Sequence, residues 1–547
     1  MSTVTTTAPA AGRMPRQIPY IIGNEACERF SFYGMRNILV PFLVSSVLLG
    51  YLPEAEREGM AKDVFHSFVI GVYFFPLLGG WLSDRFFGKY DTILWFSLIY
   101  CAGHACLALF EDNRAGFYTG LFLIALGSGG IKPLVVSFVG DQFDKTNKDK
   151  AKVVFDAFYW TINFGSFFAS LLAPRLLREL GPAVAFGVPG ALMFLATLIF
   201  WMGRGRYVRV PPTHGRDPDT FGNVARTALT ASAPGRGRPG WWVAMLGAAL
   251  FALILLAWTA QAVVRATGGE APWWPETFDF VKSACVALLL LIVFGGIGIW
   301  MQLDRARGRH SDAAVDSARA VLRILIVFGL ITPFWSLFDQ KASTWVLQGN
   351  AMRVPHEAWW WPSWLVTEPA QMQALNPLLV MLIIPFNNLV LYPVLRRMGF
   401  AVTALQRMGW GIAFAGLAWV VAGLIQLQID SGASTSLAWQ TLPYLLLTFG
   451  EVLVSATALE FAYSQATLAM KGVIMALWYL SVTFGNLWVL LTNAAVRNEA
   501  VMRQIAQTGL SENAFLMFFF AAFALLCAAA FAAYARRYPM QDHYRSA

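Results

Sequence analysis

The sequence predicts an all-α membrane protein with twelve core transmembrane helices in two six-helix bundles and a two-helix hairpin inserted between them, fourteen spans in total. Three observations carry this. Of 547 residues, 57% are hydrophobic and only 13% charged, whereas an average soluble domain is roughly 25% charged. Apolar stretches of the ~20 residues needed to cross a bilayer recur along the chain in the order six, two, six. Short segments of the first six also recur in the last six, a little over 300 residues later.

The elements follow in order. Residues 1–16 lack the apolar core of a signal peptide and read as a disordered tail. The first bundle, 17–203, has spans near 17–50, 60–83, 92–110, 116–138, 155–177 and 183–203. A linker, 204–319, contains the hairpin, about 241–264 and 280–303, which has few polar side chains and reads as peripheral and lipid-facing. The second bundle, 320–536, has spans near 320–347, 373–396, 401–426, 440–463, 471–495 and 512–536, and 537–547 is a tail.

Orientation follows from Lys and Arg. Arg13, Arg16, Arg85, Lys89, Lys145, Lys148, Lys150, the arginines of 204–238, Arg305, Arg307, Arg396, Arg397, Lys471, Arg536 and Arg537 fall on one side. That side is therefore cytoplasmic, and both termini lie on it. The tryptophan-rich "HEAWWWPSWLV" falls on the other side and reads as an interfacial belt. The net charge of +9 is explained by these loops and does not call for nucleic acid. The five cysteines have neither metal nor disulfide spacing and read as packing residues. His104, His214, His310, His356 and His543 have no ligand spacing, and Lys341, Glu460, Tyr463 and Gln465 read as structural. There is no Walker motif and no catalytic triad signature, so neither ATP nor a cofactor is expected, and the chain does not read as an enzyme.

The chemistry lies in charges inside the apolar spans. In "GNEACERFSFYGMR", helical spacing puts Glu25, Glu28, Arg29, Phe32, Tyr33 and Arg36 on one broad face. A charge at the bilayer centre costs about 3 kcal/mol or more on insertion scales, so such groups pair and face polar cavities. Lys132 lies in the fourth span, Asp339 in the seventh and Glu451 in the tenth, and His66 and Tyr73 lie on the second. A carboxylate whose cationic partner moves away gains a proton and loses it when the partner returns.

The repeat pairs "FYWTINFGSFFASLL" (158–172) with "WYLSVTFGNLWVLL" (478–491), and the loop "SDRFFG" (83–88) with "LRRMG" (395–399). Two parallel repeats of six helices resemble the major facilitator architecture, whose site lies at midplane between the halves. "GGWLSDRFFGK" also resembles that superfamily's loop signature.

"EACERFSFYG" resembles the Glu-x-x-Glu-Arg-Phe-x-Tyr-Tyr motif of the proton-coupled oligopeptide transporters. "GSGGIKP", "FYWTINFGS", "FWSLFDQ", "NPLLVMLIIP" and "FGEVLVSATALEFAYSQA" are similar to further motifs of that family, and the hairpin matches the extra pair of its bacterial members. The resemblance implies a symporter importing di- and tripeptides, driven by protons, in a bacterial inner membrane, with lipid around it and no obligatory protein partner. It implies proton coupling by Glu25, Glu28, Arg29, His66 and Asp339. Arg29 and Lys132 would hold the peptide carboxylate, and Asn163, Asn376 and Glu451 its amino group. Tyr33 and Tyr73 would bond the peptide backbone, and Trp335 and Trp478 would wall side-chain pockets. Arg36 would pair with Asp339 as a gate, in which Lys132 also takes part. Phe32 replaces a motif tyrosine, so one hydroxyl is missing.

The residues argue for the same substrate class. A zwitterion of variable side chain needs a cation and an anion at a fixed separation, and charge-assisted hydrogen bonds to both termini are strong and directional. Lys132 and Glu451 carry the two signs in opposite halves. Two alternatives stay open at this point: symport of another small solute such as nitrate, which Glu451 would repel, and a non-transporting peptide or pH sensor, for which no output domain is visible.

Overall fold

A computed structural model describes residues 14–143, 147, 150–212, 218–232, 237–269, 274, 275, 277–400, 402–465 and 470–539. Residues 1–13 and 540–547 of the expected tails 1–16 and 537–547, and Lys145, Lys148, His214, Arg216, Arg236 and His543, lie outside the described residues, as do the side chains of Glu460, Tyr463 and Lys471. The described residues form helices joined by turns and loops, and no β-sheet. Among the described residues, eleven helical stretches are long and apolar enough to cross a membrane, and one of them, Glu54–Leu109, contains two helices joined by a π-helical turn. Helices α1 (Ile18–Ser45) and α5 (Ala151–Leu180) are equally long but more polar, α1 because it carries four charged residues.

The chain divides into two compact units. The first comprises Met1–Ala61, Gly71–His214 and Val354–Leu382, and the second Lys62–Ile70, Gly215–Arg353 and Ile383–Ala547. This division differs from the sequence bundles in two segments. Residues 62–70 of α2 (Glu54–Leu82) group with the second unit because Asp63 and His66 bond to its side chains. Residues 354–382 group with the first because Gln371 and Gln373 donate to the carbonyls of Leu171 and Asn37, at 2.8 and 3.2 Å.

In the first unit, α1 packs on α5 and α6 (Pro182–Met202), and α3 (Gly88–Leu109) packs on α4 (Arg114–Asp141) and α6. Apolar packing alone discriminates poorly between helices in lipid, so polar side chains fix the contacts. Asn24 donates to the Ala196 carbonyl at 3.0 Å and Asn37 to Ser170 Oγ at 2.6 Å. At the turn between α2 and α3, Lys89 pairs with Asp141 at 2.7 Å.

The second unit begins, after residues 62–70, with the short helix α7 (Phe221–Thr230) and the hairpin α8 (Pro239–Ala266) and α9 (Phe280–Gln302). Only 6% and 17% of the apolar stretches of the hairpin helices are buried, against 61% for α4, which fits a lipid-facing position. Then come α10 (Asp312–Asp339), the short α11 (Thr344–Asn350), α12 (Leu375–Phe386) and α13 (Tyr392–Arg397). The helices α14 (Ala404–Asp430), α15 (Thr441–Ser464), α16 (Lys471–Val496), α17 (Glu499–Gln507) and α18 (Glu512–Ala535) complete the chain. Within this unit α10 packs on α16 and α18, and α14 on α15 and α18. The span expected at 320–347 instead ends as α10 at Asp339, where a 3-10 turn, Gln340–Ala342, turns the chain into α11.

The internal repeat extends to backbone geometry. A π-helical turn, Ser83–Phe87, follows α2, and another, Asn387–Leu391, follows α12. Gly88, at φ 75°, closes the first of these turns, and Gly399, at 83°, follows α13; a side chain would be strained at either.

Two outcomes are expected. A Cβ at Gly485 would lie 2.5 Å from Trp335 Cβ and 2.8 Å from the Thr332 carbonyl oxygen. Gly485→Val should therefore force α16 off α10, lowering stability by about 1–3 kcal/mol in a thermal-melting assay; an unchanged melting temperature would contradict this packing. In the linker, Ser311 Oγ and His310 Nδ1 contact Asp219 at 2.6 and 3.1 Å, and these bonds hold its carboxyl below the usual carboxylate range. A carboxyl held down contributes stability above its unfolded value and loses it as pH falls. Protease cleavage at α7 should accordingly rise on acidification below that range and stay flat in Asp219→Asn.

Candidate functional site

Two buried polar clusters stand out, one in each unit. In the first unit, α1 turns Glu25, Glu28 and Arg29 inward at successive i,i+3 and i,i+4 positions, leaving them 3%, 0% and 8% exposed. Arg29 Nε lies 3.0 Å from Glu25 Oε1 and 2.5 Å from Glu28 Oε2. Two carboxylates therefore share one guanidinium, and the trio carries a net negative charge when all three are ionised. A further cation comes from α4. Lys132 Nζ lies 3.7 Å from the centre of the Phe32 ring and 4.7 Å from that of Tyr73. Arg29 faces the same Phe32 ring at 6.0 Å, and Tyr33 meets it edge-on at 5.4 Å.

Phe32 thus does more than lack a hydroxyl. Its buried ring forms a platform that two cations address, an interaction worth ~0.5–2 kcal/mol. The glycines of "GSGGIKP" allow α4 to deliver Lys132 there. A Cβ at Gly127 would lie 2.7 Å from Tyr100 Cβ, and one at Gly129 would lie 2.5 Å from Phe75 Cβ. Only a helix lacking side chains at those positions can run so close to α3 and α2.

Other expected residues of the first unit are placed as follows. Arg36 is buried on α1. Asn163 on α5 donates its amide to the Tyr159 carbonyl one turn back, at 3.0 Å, which fixes its orientation. Asn376 is half-buried at the start of α12, just after the Gln371 and Gln373 anchors.

In the second unit, Asp339 and His66 are joined through a residue that sequence reasoning missed. Asn486 Nδ2 donates to Asp339 Oδ2 at 2.8 Å, and Asn486 Oδ1 lies 2.7 Å from His66 Nδ1. Because the Asn486 amide nitrogen donates to the carboxylate, its oxygen must accept, so His66 carries a proton on Nδ1. The other ring nitrogen, Nε2, lies 3.0 Å from Ser343 Oγ, whose second contact is the Gln340 carbonyl at 3.3 Å. The hydroxyl can donate to neutral imidazole, or accept from the cation while donating to the carbonyl. Ser343 thus accommodates both protonation states of His66. His66 and Asn486 are fully buried and Asp339 nearly so. The sequence signal for Asn486 was its place directly after the repeated Phe484–Gly485; none was available for Ser343.

The rings of Trp335 and Trp478 meet edge-on at 5.4 Å, and Gly485 provides the room. Glu451 is half-buried on α15. The members of two expected pairs belong to different units: Arg36 to the first and Asp339 to the second, and likewise Lys132 and Glu451. Among the described residues no group of three His, Cys, Asp or Glu could hold a metal ion.

Against known families, residues 90–508 match the model of the POT family. The chain belongs to the POT family. Relatives by sequence include peptide transporter 3 of Caenorhabditis elegans, 31% identical over 432 residues that make up 76% of this chain and 51% of that protein. The chain spans about half the length of the animal relatives it matches. Among solved structures, an auto-inhibited POT family peptide transporter is 63% identical, with a TM-score of 0.89 and coverage of 97% of this chain and 99% of that one. The POT family transporter PepTSo is 61% identical, with a TM-score of 0.89 and coverage of 97% and 100%. The expected fold class therefore holds: an all-α, multi-pass membrane protein of a transporter family, with twelve core spans and an inserted pair.

One outcome follows from the Asn486 bridge. Asn486→Leu would leave two buried polar groups without that partner, at a cost of about 1–3 kcal/mol. A lowered melting temperature is expected, and a variant as stable as the parent would show that the bridge carries no weight.

Proposed function

We propose that this chain is a proton-coupled symporter that imports di- and tripeptides by alternating access, set in a bacterial inner membrane with both termini cytoplasmic. The observation that carries this reading is the α1 cluster, where two buried carboxylates share Arg29 beside a Lys132 held over aromatic rings. The names of the relatives, as peptide transporters, support the substrate class.

The cluster's charge supplies a coupling rule. Arg29 and Lys132 receive the peptide carboxylate. That group is a third anion beside two cations, so Glu25 or Glu28 takes up a proton as it binds. Peptide and proton then favour each other's binding, and linkage makes the effect reciprocal. Glu451, Asn163 and Asn376 receive the peptide amino group, and Tyr33 and Tyr73 bond its backbone. Trp335 and Trp478 border the variable side chains. His66 and Asp339 exchange a proton through Asn486, and Arg36 pairs with Asp339 as the gate, with Lys132 taking part. The membrane potential adds about 2.3 kcal/mol per charge per 100 mV. Protons and peptide are the partners, with no cofactor.

Uptake of labelled dialanine into proteoliposomes tests the reading. Accumulation should require an inward proton gradient and collapse with a protonophore. Lys132→Ala or Glu451→Gln should abolish accumulation while the protein still inserts. Glu25→Gln should impair proton-driven uptake while peptide counterflow persists. Normal accumulation by either of the first two variants would refute the terminal contacts, and accumulation unaffected by the protonophore would refute the coupling.

A further inference from the structure

The inserted hairpin reads from sequence as a lipid-facing appendage, yet it places one lysine where lipid cannot explain it. Lys282 lies in the first turn of α9 and is only 1% exposed. A cation at a helix N-terminus opposes the helix dipole, and a buried one needs partners. Lys282 Nζ pairs with Asp279 at 2.6 Å and with Asp63 of α2 at 3.3 Å. Asp63 is 4% exposed and also receives Asn493 Nδ2 of α16 at 3.0 Å and Arg497 at 3.0 Å. Three donors from the hairpin, from α16 and from the turn after it thus converge on one carboxylate.

That carboxylate lies one helical turn before His66 on α2, on the same side. Its α16 partner, Asn493, lies two turns beyond Asn486, the partner of His66. The middle of α2 and α16 are therefore zipped in antiparallel sense by Asp63–Asn493 and His66–Asn486. The charged groups around this zipper in the second unit are Asp339 through Asn486, and Lys282, Arg497 and Asp279 around Asp63. Buried Lys62 adjoins Asp63 on α2, and Lys341 lies over the Phe338 ring at 3.3 Å.

We propose that Lys282 is a positioning residue for proton coupling: by holding Asp63 it fixes the register of α2 against α16, and with it the contacts of His66. The inserted hairpin then belongs to the working part of the molecule. This rests on the role proposed above for His66, and the test separates the two.

The full chain is labelled with 15N-histidine and reconstituted in nanodiscs, and the His66 ring resonance is assigned by its loss in His66→Gln. In Lys282→Met that resonance should shift or split, while proton-driven dialanine uptake falls about tenfold and counterflow stays within about twofold. Adding Asp63→Asn removes the carboxylate that has lost one of its two cations. The melting temperature should then return toward that of the parent, while uptake stays low. An unmoved His66 resonance in folded Lys282→Met would overturn the proposal. So would a double variant that recovers uptake together with its melting temperature, since that is the signature of a purely structural ion pair. If the parent chain moved no peptide at all, the transport reading would fail, and the His66 resonance would still decide whether Lys282 positions that ring.

Discussion

The free-energy cost of charge in hydrocarbon governs this molecule. An ionised side chain in a membrane helix has to find a partner within the protein, and the partners found here determine which helices touch. Glu25 and Glu28 pair with Arg29 on α1, and Lys132 is brought beside them over the Phe32 ring. Asp63 and Asp339 are satisfied by α9 and α16. Such arrangements are weak evidence for stability, because desolvation offsets most of the attraction. On the proposed reading their value is specificity and switching: with one guanidinium shared, one carboxylate changes protonation when a further anion arrives.

Apolar packing supplies the frame, and it depends on residues that lack side chains. Gly127 and Gly129 let α4 approach α3 and α2, and Gly485 does the same for α16 against α10. π-helical turns directly after both α2 and α12 show the internal repeat at the level of backbone hydrogen bonding. A π-turn misaligns the backbone hydrogen bonds of the helix, and such turns cluster at functional positions.

Much of this was legible in the sequence, because the bilayer imposes a length and a composition that can be counted. The spans, the inserted pair and the α1 cluster all follow from hydropathy and from i,i+3 and i,i+4 spacing. The contacts made between distant positions were not legible. Asn486 bridges His66 and Asp339 from 420 residues away from the former, and Lys282 meets Asp63 across 219. Nothing local distinguishes an asparagine that bridges two titratable groups from one that pairs two helices, and a single lysine beside a loop reads as an interfacial residue. By motif alone Phe32 is a lost hydroxyl; the ring's service as a cation platform depends on α4, a hundred residues further on.

On the proposed function, peptide binding and protonation of buried carboxylates are one thermodynamic event. Proton flux measured with a pH dye sealed inside proteoliposomes, under a clamped membrane potential, tests it most directly. The account predicts internal acidification that begins only when dipeptide is added outside and scales with peptide uptake. Peptide entry without acidification, or proton entry that ignores peptide, would contradict it.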